Sequence, residues 1–176
     1  MNLHAPRALP LVATLVALVP AAALASASPR SIHPVSGLEV NLLGELNAVR
    51  ADHGLRPLRL EAGLTTAAER HSLEMVESGY FGHESPDGSV FWKRIKRFYP
   101  RVRSGSWEVG ENLMWKAPAV SARVVVRAWL RSPGHRENLL DGGYRDVGIA
   151  AVHAIDAPGV YGLRRVVVLT VDFGSH

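Results

Sequence analysis

Two valine-rich runs near the C-terminus limit this chain more than any other feature. Val147-Gly148-Ile149-Ala150-Ala151-Val152 and Val166-Val167-Val168-Leu169-Thr170-Val171 are dense in β-branched residues, which suit the pleated, half-buried surface of a sheet. A loop containing Pro158 and Gly159 separates them, so they predict two antiparallel strands, with Glu111 to Trp115 as a third. The preceding sequence has the period of a helix instead. Ser36-Gly37-Leu38-Glu39 has capping-box form, and Leu42, Leu43, Leu46 and Val49 recur at helical spacing until Gly54. From Glu61 to Ser78, Leu64, Ala68, His71 and Met75 share one face and Gly79 supplies the stop. Further helices are expected over 89–98 and over 120–131, the latter ended by Pro133. Helices first and strands last predict an α+β domain, an α-β-α sandwich with a small antiparallel sheet covered by helices on both faces.

The chain has 176 residues and no cysteine, which gives room for one globular unit and excludes both a disulfide framework and thiolate chemistry. Residues 1–27 read as a secretory signal peptide. Arg7 supplies the charged start, Ala8 to Leu24 the apolar stretch, and Ala25-Ser26-Ala27 a small-x-small cleavage site near Ala27. Pro10 and Pro20 interrupt the apolar stretch, so a transmembrane span is not expected in the mature form. The expected organisation is signal peptide 1–27, a short polar lead 28–36 and one domain over 37–176, secreted and extracellular.

Charge adds little to this picture. The net charge is +4, and loss of the leader with Arg7 lowers it to +3. Cations concentrate in Lys93-Arg94-Ile95-Lys96-Arg97, Arg101 and Arg103, which read as the solvated face of an amphipathic helix whose inner side carries Val90, Phe91, Ile95 and Phe98. With the phenylalanines needed inside, nucleic acid is not an expected partner.

The stretch Ser132-Pro133-Gly134-His135-Arg136-Glu137-Asn138-Leu139-Leu140 opens like a helix, with Ser132 as the cap and Pro133 in the first position. A histidine three residues after the cap favours the neutral imidazole, because a cation is unwelcome at a helix N-terminus. His83 lies in a turn, Phe81-Gly82-His83-Glu84-Ser85-Pro86, where it has no packing role. Glu111 enters a strand in Gly110-Glu111-Asn112-Leu113. Two histidines and a carboxylate can bind a divalent metal such as zinc or hold a water between them. No HExxH motif is present, so spacing selects neither. Asn112 and Asn138 are expected to brace backbone through their amides, with Asn138 also placed to orient His135. His71 is expected to be a hydrogen-bonded core histidine.

These motifs, taken in order with Trp129, Val147-Gly148-Ile149-Ala150 and Val171-Asp172-Phe173-Gly174, resemble the cysteine-free bacterial branch of the CAP superfamily, whose domain is also called SCP. The resemblance covers about Leu38 to Gly174. It implies an α-β-α sandwich with a cleft where two histidines and two acids meet, holding zinc in some members. His83, Glu111 and His135 fall on three of those positions. Ser132, three residues after Trp129, stands where the pattern has its second acid.

The function expected is a non-catalytic binding module whose His83/Glu111/His135 cleft, supported by Asn112, Ser132 and Asn138, takes a small polar ligand, a lipid or a cell-envelope component, metal-assisted or not. The alternative is a peptidase or esterase in which a metal or the His83/Glu111 pair activates water.

Overall fold

The computed structural model describes residues 31–34, 37–101 and 106–176. The expected leader lies outside the described residues, as do Ser36 and Arg103. The β-rich tail forms β4 (Asp146–Ala157) and β5 (Arg164–Ser175), an antiparallel pair in register from Asp146 opposite Gly174 to Ala154 opposite Val166. Strand β3 (Glu108–Lys116) pairs antiparallel with β5, Glu111 lying opposite Asp172 and Leu113 opposite Thr170. Strand β1 (Ser31–Pro34), within the segment expected to be a polar lead, pairs antiparallel with β4, and the two-residue β2 (Arg59–Leu60) runs parallel to it. The sheet order is β1-β4-β5-β3, so β3 is an edge strand.

Because strand side chains alternate, β5 divides its residues between two helical layers. Val167, Leu169, Val171 and Phe173 meet Leu42 and Leu46 of α1 (Leu38–Asp52), Val125 and Trp129 of α4 (Ala122–Leu130) and Leu139 of α5 (Pro133–Leu140). On the other face, Val166 and Val168 meet Met75 and Val76 of α2 (Ala62–Ser78). Near the start of α2, Leu64 and Ala67 pack with Ile95 of α3 (Phe91–Phe98) and with Tyr99. The first turn of α2 lies so close to β4 that a Cβ on Gly148 would stand 2.0 Å from the carbonyl carbon of Leu64. Any side chain there would force helix and sheet apart.

Local signals acted partly as expected. Glu61 caps α2, its carboxylate accepting from the Leu64 amide at 2.7 Å, and Gly79 ends it with φ 69°. The capping box expected at α1 rests on Ser36, outside the described residues. Gly37 is the N-cap, and Glu39 accepts from the Ala151 amide at 3.2 Å, because the outer edge of β4 between its β2 and β1 pairings offers an unpaired donor. Arg50, on the Leu42/Leu46 stripe of α1, is wholly buried. It donates to the carbonyls of Arg56, Leu139 and Asp141, each at 2.9 Å, and of Tyr144 at 3.3 Å, pinning the turn between α5 and β4.

Candidate functional site

The site forms on edge strand β3, where the two helical layers come within reach of one another. Glu111 faces the α2/α3 layer with Leu113, and its side chain is fully buried. The α2–α3 loop delivers His83 to it. Glu74 fastens that loop by accepting from Tyr80 Oη at 2.8 Å and Ser85 Oγ at 2.9 Å. His83 Nδ1 lies 2.8 Å from Glu111 Oε1, and the ring is half exposed. A proton on Nδ1 is therefore donated to the carboxylate, which leaves Nε2 as the outward nitrogen of the neutral ring. His71, fully buried, places Nε2 2.9 Å from the Gly82 carbonyl, where it donates, and 3.9 Å from Glu111 Oε2. Burial lowers its pKa, so it is a neutral core histidine.

Two residues of this cluster were not read from the sequence as part of it. Arg94 was expected on the solvated face of α3, yet its side chain is only 10% exposed and its Nη2 donates to Glu111 Oε2. Its Nη1 reaches the His83 carbonyl at 3.4 Å. The reason is helical phase: positions 91, 94 and 98 share a stripe, so Arg94 turns inward between Phe91 and Phe98, while Lys93, Lys96 and Arg97 remain outside. The second is Asp172, fully buried, directly opposite Glu111, with no N–H or O–H donor on either oxygen among the described residues. Burial first, then the Glu111 charge, raises its pKa well above the ordinary carboxyl value. That shift favours the protonated form of Asp172, which can donate to Glu111.

From the opposite layer, α5 brings His135. Ser132 is the N-cap residue, but its hydroxyl does not cap the backbone. Its Oγ sits 2.9 Å from His135 Nδ1 instead, because the imidazole folds back over the helix start and is a nearer partner. The His135 pKa is lowered, by burial first and then by the nearby His83 imidazole. Neutrality was the expectation, though the helix terminus is not among its causes. Asn112 Nδ2 donates to the His135 carbonyl at 3.0 Å. Asn138 Nδ2 donates to the Glu111 carbonyl at 3.1 Å and to Asn112 Oδ1 at 2.9 Å. Asn138 thus braces β3 rather than the His135 ring. A Cβ on Gly110 would stand 2.7 Å from Asn138 Oδ1 and 2.5 Å from Tyr144 Oη, so only glycine lets α5 approach this closely.

A cavity of about 470 Å³ opens beside these groups, lined by His83, Glu111, Gly110, Asn138 and the rings of Phe91 and Trp92. His135 senses His83 electrostatically but does not line this cavity. A shallower groove of about 460 Å³ continues past Phe91 and Trp92 to Trp107, Glu108 and Asp141. Trp92 is 41% exposed.

His83, Glu111 and His135 do not form a donor set for zinc. Among the described residues no group of three metal-ligating side chains is placed to hold an ion. His83 and Arg94 occupy the two Glu111 oxygens, and His135 turns one ring nitrogen to Ser132. The residues therefore do not fit the metal that the resemblance implied.

The sequence model of the cysteine-rich secretory protein family (CAP) matches residues 43–172. Protein YkwD of Bacillus subtilis (strain 168) is 31% identical over 122 residues, covering 68% of this chain and 44% of that protein. Membrane protein YlbC of the same organism is 30% identical over 111 residues, covering 63% and 30%. The chain thus spans less than half the length of these curated relatives. Among solved structures, an extracellular SCP-domain protein from Bacillus anthracis superposes with TM-score 0.60 and 26% identity, covering 78% of this chain and 40% of that one. An outer surface protein from Borrelia burgdorferi superposes with TM-score 0.68 and 21% identity, covering 83% and 99%, a likeness of fold. No helix among the described residues is long and apolar enough to cross a membrane.

Proposed function

As a member of the cysteine-rich secretory protein family, this chain is, we propose, an exported binding module whose His83–Glu111 cleft takes a small polar ligand, a lipid headgroup or another component of the cell envelope. The observation that carries this reading is the engagement of Glu111. Its carboxylate is fully buried, with His83 on one oxygen and Arg94 on the other, so it is turned to protein donors rather than to a water in the cleft. A general base must reach the proton it abstracts. What the cleft offers instead is the outer nitrogen of His83, the side-chain oxygen of Asn138 and the faces of Phe91 and Trp92. A few polar groups beside an aromatic wall suit recognition. Removal through the secretory pathway of the leader read at 1–27 belongs to the same proposal.

A second reading draws on one feature of the same pair. An imidazole held by a carboxylate at Nδ1 is the arrangement in which Nε2 can take a proton from an attacking water, and this supports a peptidase or esterase.

Titration of the protein with cell-wall glycopeptide fragments, short glycans and lipid headgroups, followed by calorimetry, separates the two. The binding reading expects saturable affinity for one of them, weakened at least about tenfold by His83→Ala or Trp92→Ala. Turnover of an ester or peptide panel that disappears in folded Glu111→Gln overturns it in favour of the hydrolase.

A further inference from the structure

A metal ion entering this cleft needs lone pairs and a site of net negative charge, and Arg94 takes one oxygen of Glu111 and offsets its charge. Its guanidinium approaches from α3, behind the carboxylate. It lines the separate cavity of about 610 Å³ that also carries Glu74 and Ser85, while Glu111 lines the cleft in front. One end of the fork donates to Glu111 Oε2 and the other reaches the His83 carbonyl. A single cation thus holds both the acid and the backbone of its histidine, as a bridging metal would. The other Glu111 oxygen faces His83 Nδ1. The guanidinium of Arg94, only 10% exposed, balances the buried charge of Glu111. A divalent ion placed against Glu111 would bring uncompensated positive charge beside a fixed guanidinium.

We propose that Arg94 is the resident counter-cation of the His83–Glu111 pair, neutralising the carboxylate from behind the cleft, so that the cleft operates without metal and acquires metal affinity only when Arg94 is removed. Arg94 is a positioning residue here: it acts on a ligand through Glu111 and His83. The inference rests on reading the cleft as the functional site, but it makes its own claim about cations.

The test is a zinc titration of the untagged, chelator-treated full chain, read by calorimetry and by thermal unfolding, since a ligand that binds the folded state raises the melting temperature. Wild type is expected to show no zinc binding or melting shift that depends on His83, with His83→Ala as the control for scattered surface histidines. Arg94→Gln is expected to gain stoichiometric zinc affinity at least about tenfold above wild type, lost again in Arg94→Gln/His83→Ala. Arg94→Lys, which keeps the charge, is expected to gain none. His83-dependent zinc binding by wild type overturns the proposal, as does a folded Arg94→Gln protein that gains no zinc. The wild-type titration decides alone if Arg94→Gln does not fold. A cleft that bound no envelope ligand would sink the proposed function and leave these zinc outcomes unchanged.

Discussion

Asp172→Asn should stabilise this protein, and by an amount that grows with pH. The carboxyl sits on β5 opposite Glu111, fully buried and without a donor among the described residues. With its own proton it can give a hydrogen bond to Glu111. The folded-state pKa is raised well above 3.8. Between 3.8 and that raised value the folded state binds more protons than the unfolded chain, so stability falls as pH rises through this window. Below 3.8 both states are protonated and the contribution is fully present. Keeping a carboxyl of ordinary pKa 3.8 protonated at neutral pH costs up to about 4 kcal/mol, at 1.36 kcal/mol per unit. Asparagine has the same shape and offers Glu111 an N–H without that cost. Allowing about 1 kcal/mol for a less apt hydrogen bond, the variant should gain up to about 3 kcal/mol at neutral pH and almost nothing near pH 4. Urea unfolding of both proteins over a pH series measures the difference directly, and titrations common to the two cancel. An asparagine variant that is less stable at neutral pH, by an amount independent of pH, would refute the reasoning and show Asp172 to be a satisfied anion.

Arg50→Met should cost about 3–5 kcal/mol in chemical denaturation, because it strips donors from four backbone carbonyls, those of Leu139 and Tyr144 in buried bonds. Hydrogen exchange should accelerate first in residues 139–144, and a loss under about 1 kcal/mol would contradict the anchoring role. The lowered pKa values of His71 and His135 mean that the unfolded chain takes up protons first as pH falls below 6.5, so stability should drop on the acid side of that value. His71→Gln retains a donor for the Gly82 carbonyl and should flatten that slope in unfolding midpoints measured at neutral and mildly acid pH. An unchanged slope would exclude His71 as a cause.

What the sequence made legible follows from how local each cause is. The β-branched runs, the helical periods and the stop at Gly79 are set by neighbours within a few residues, and β4, β5, α1 and α2 lie where those signals put them. Where another partner competed, local reading failed: Ser132 turned from the backbone to His135, and Glu39 reaches the Ala151 amide far along the chain. The buried polar residues were the hardest to see. Arg50, Arg94 and Asp172 are all charged types, and each is set by neighbours distant in sequence, the carbonyls around Arg50, Glu111 beside Arg94 and Glu111 opposite Asp172. Phase alone could have flagged them, since Arg50 continues the Leu42/Leu46 stripe, Arg94 shares the Phe91/Phe98 stripe, and Asp172 follows Val168 and Thr170 at period two on β5. For the site, chemistry and turn context singled out His83 and Glu111, which meet at 2.8 Å. Arg94, read as surface charge, closes the other side of the same carboxylate.

The measurement that bears most directly on this account is the nitrogen-15 spectrum of the histidine rings in the folded protein. For the neutral His83 ring, the account predicts the proton on Nδ1, directed at Glu111, with Nε2 bare, and a change in tautomer balance in both Glu111→Gln and Arg94→Gln. A His83 ring protonated on Nε2 and indifferent to both substitutions would mean that the imidazole, the carboxylate and the guanidinium do not act as one unit.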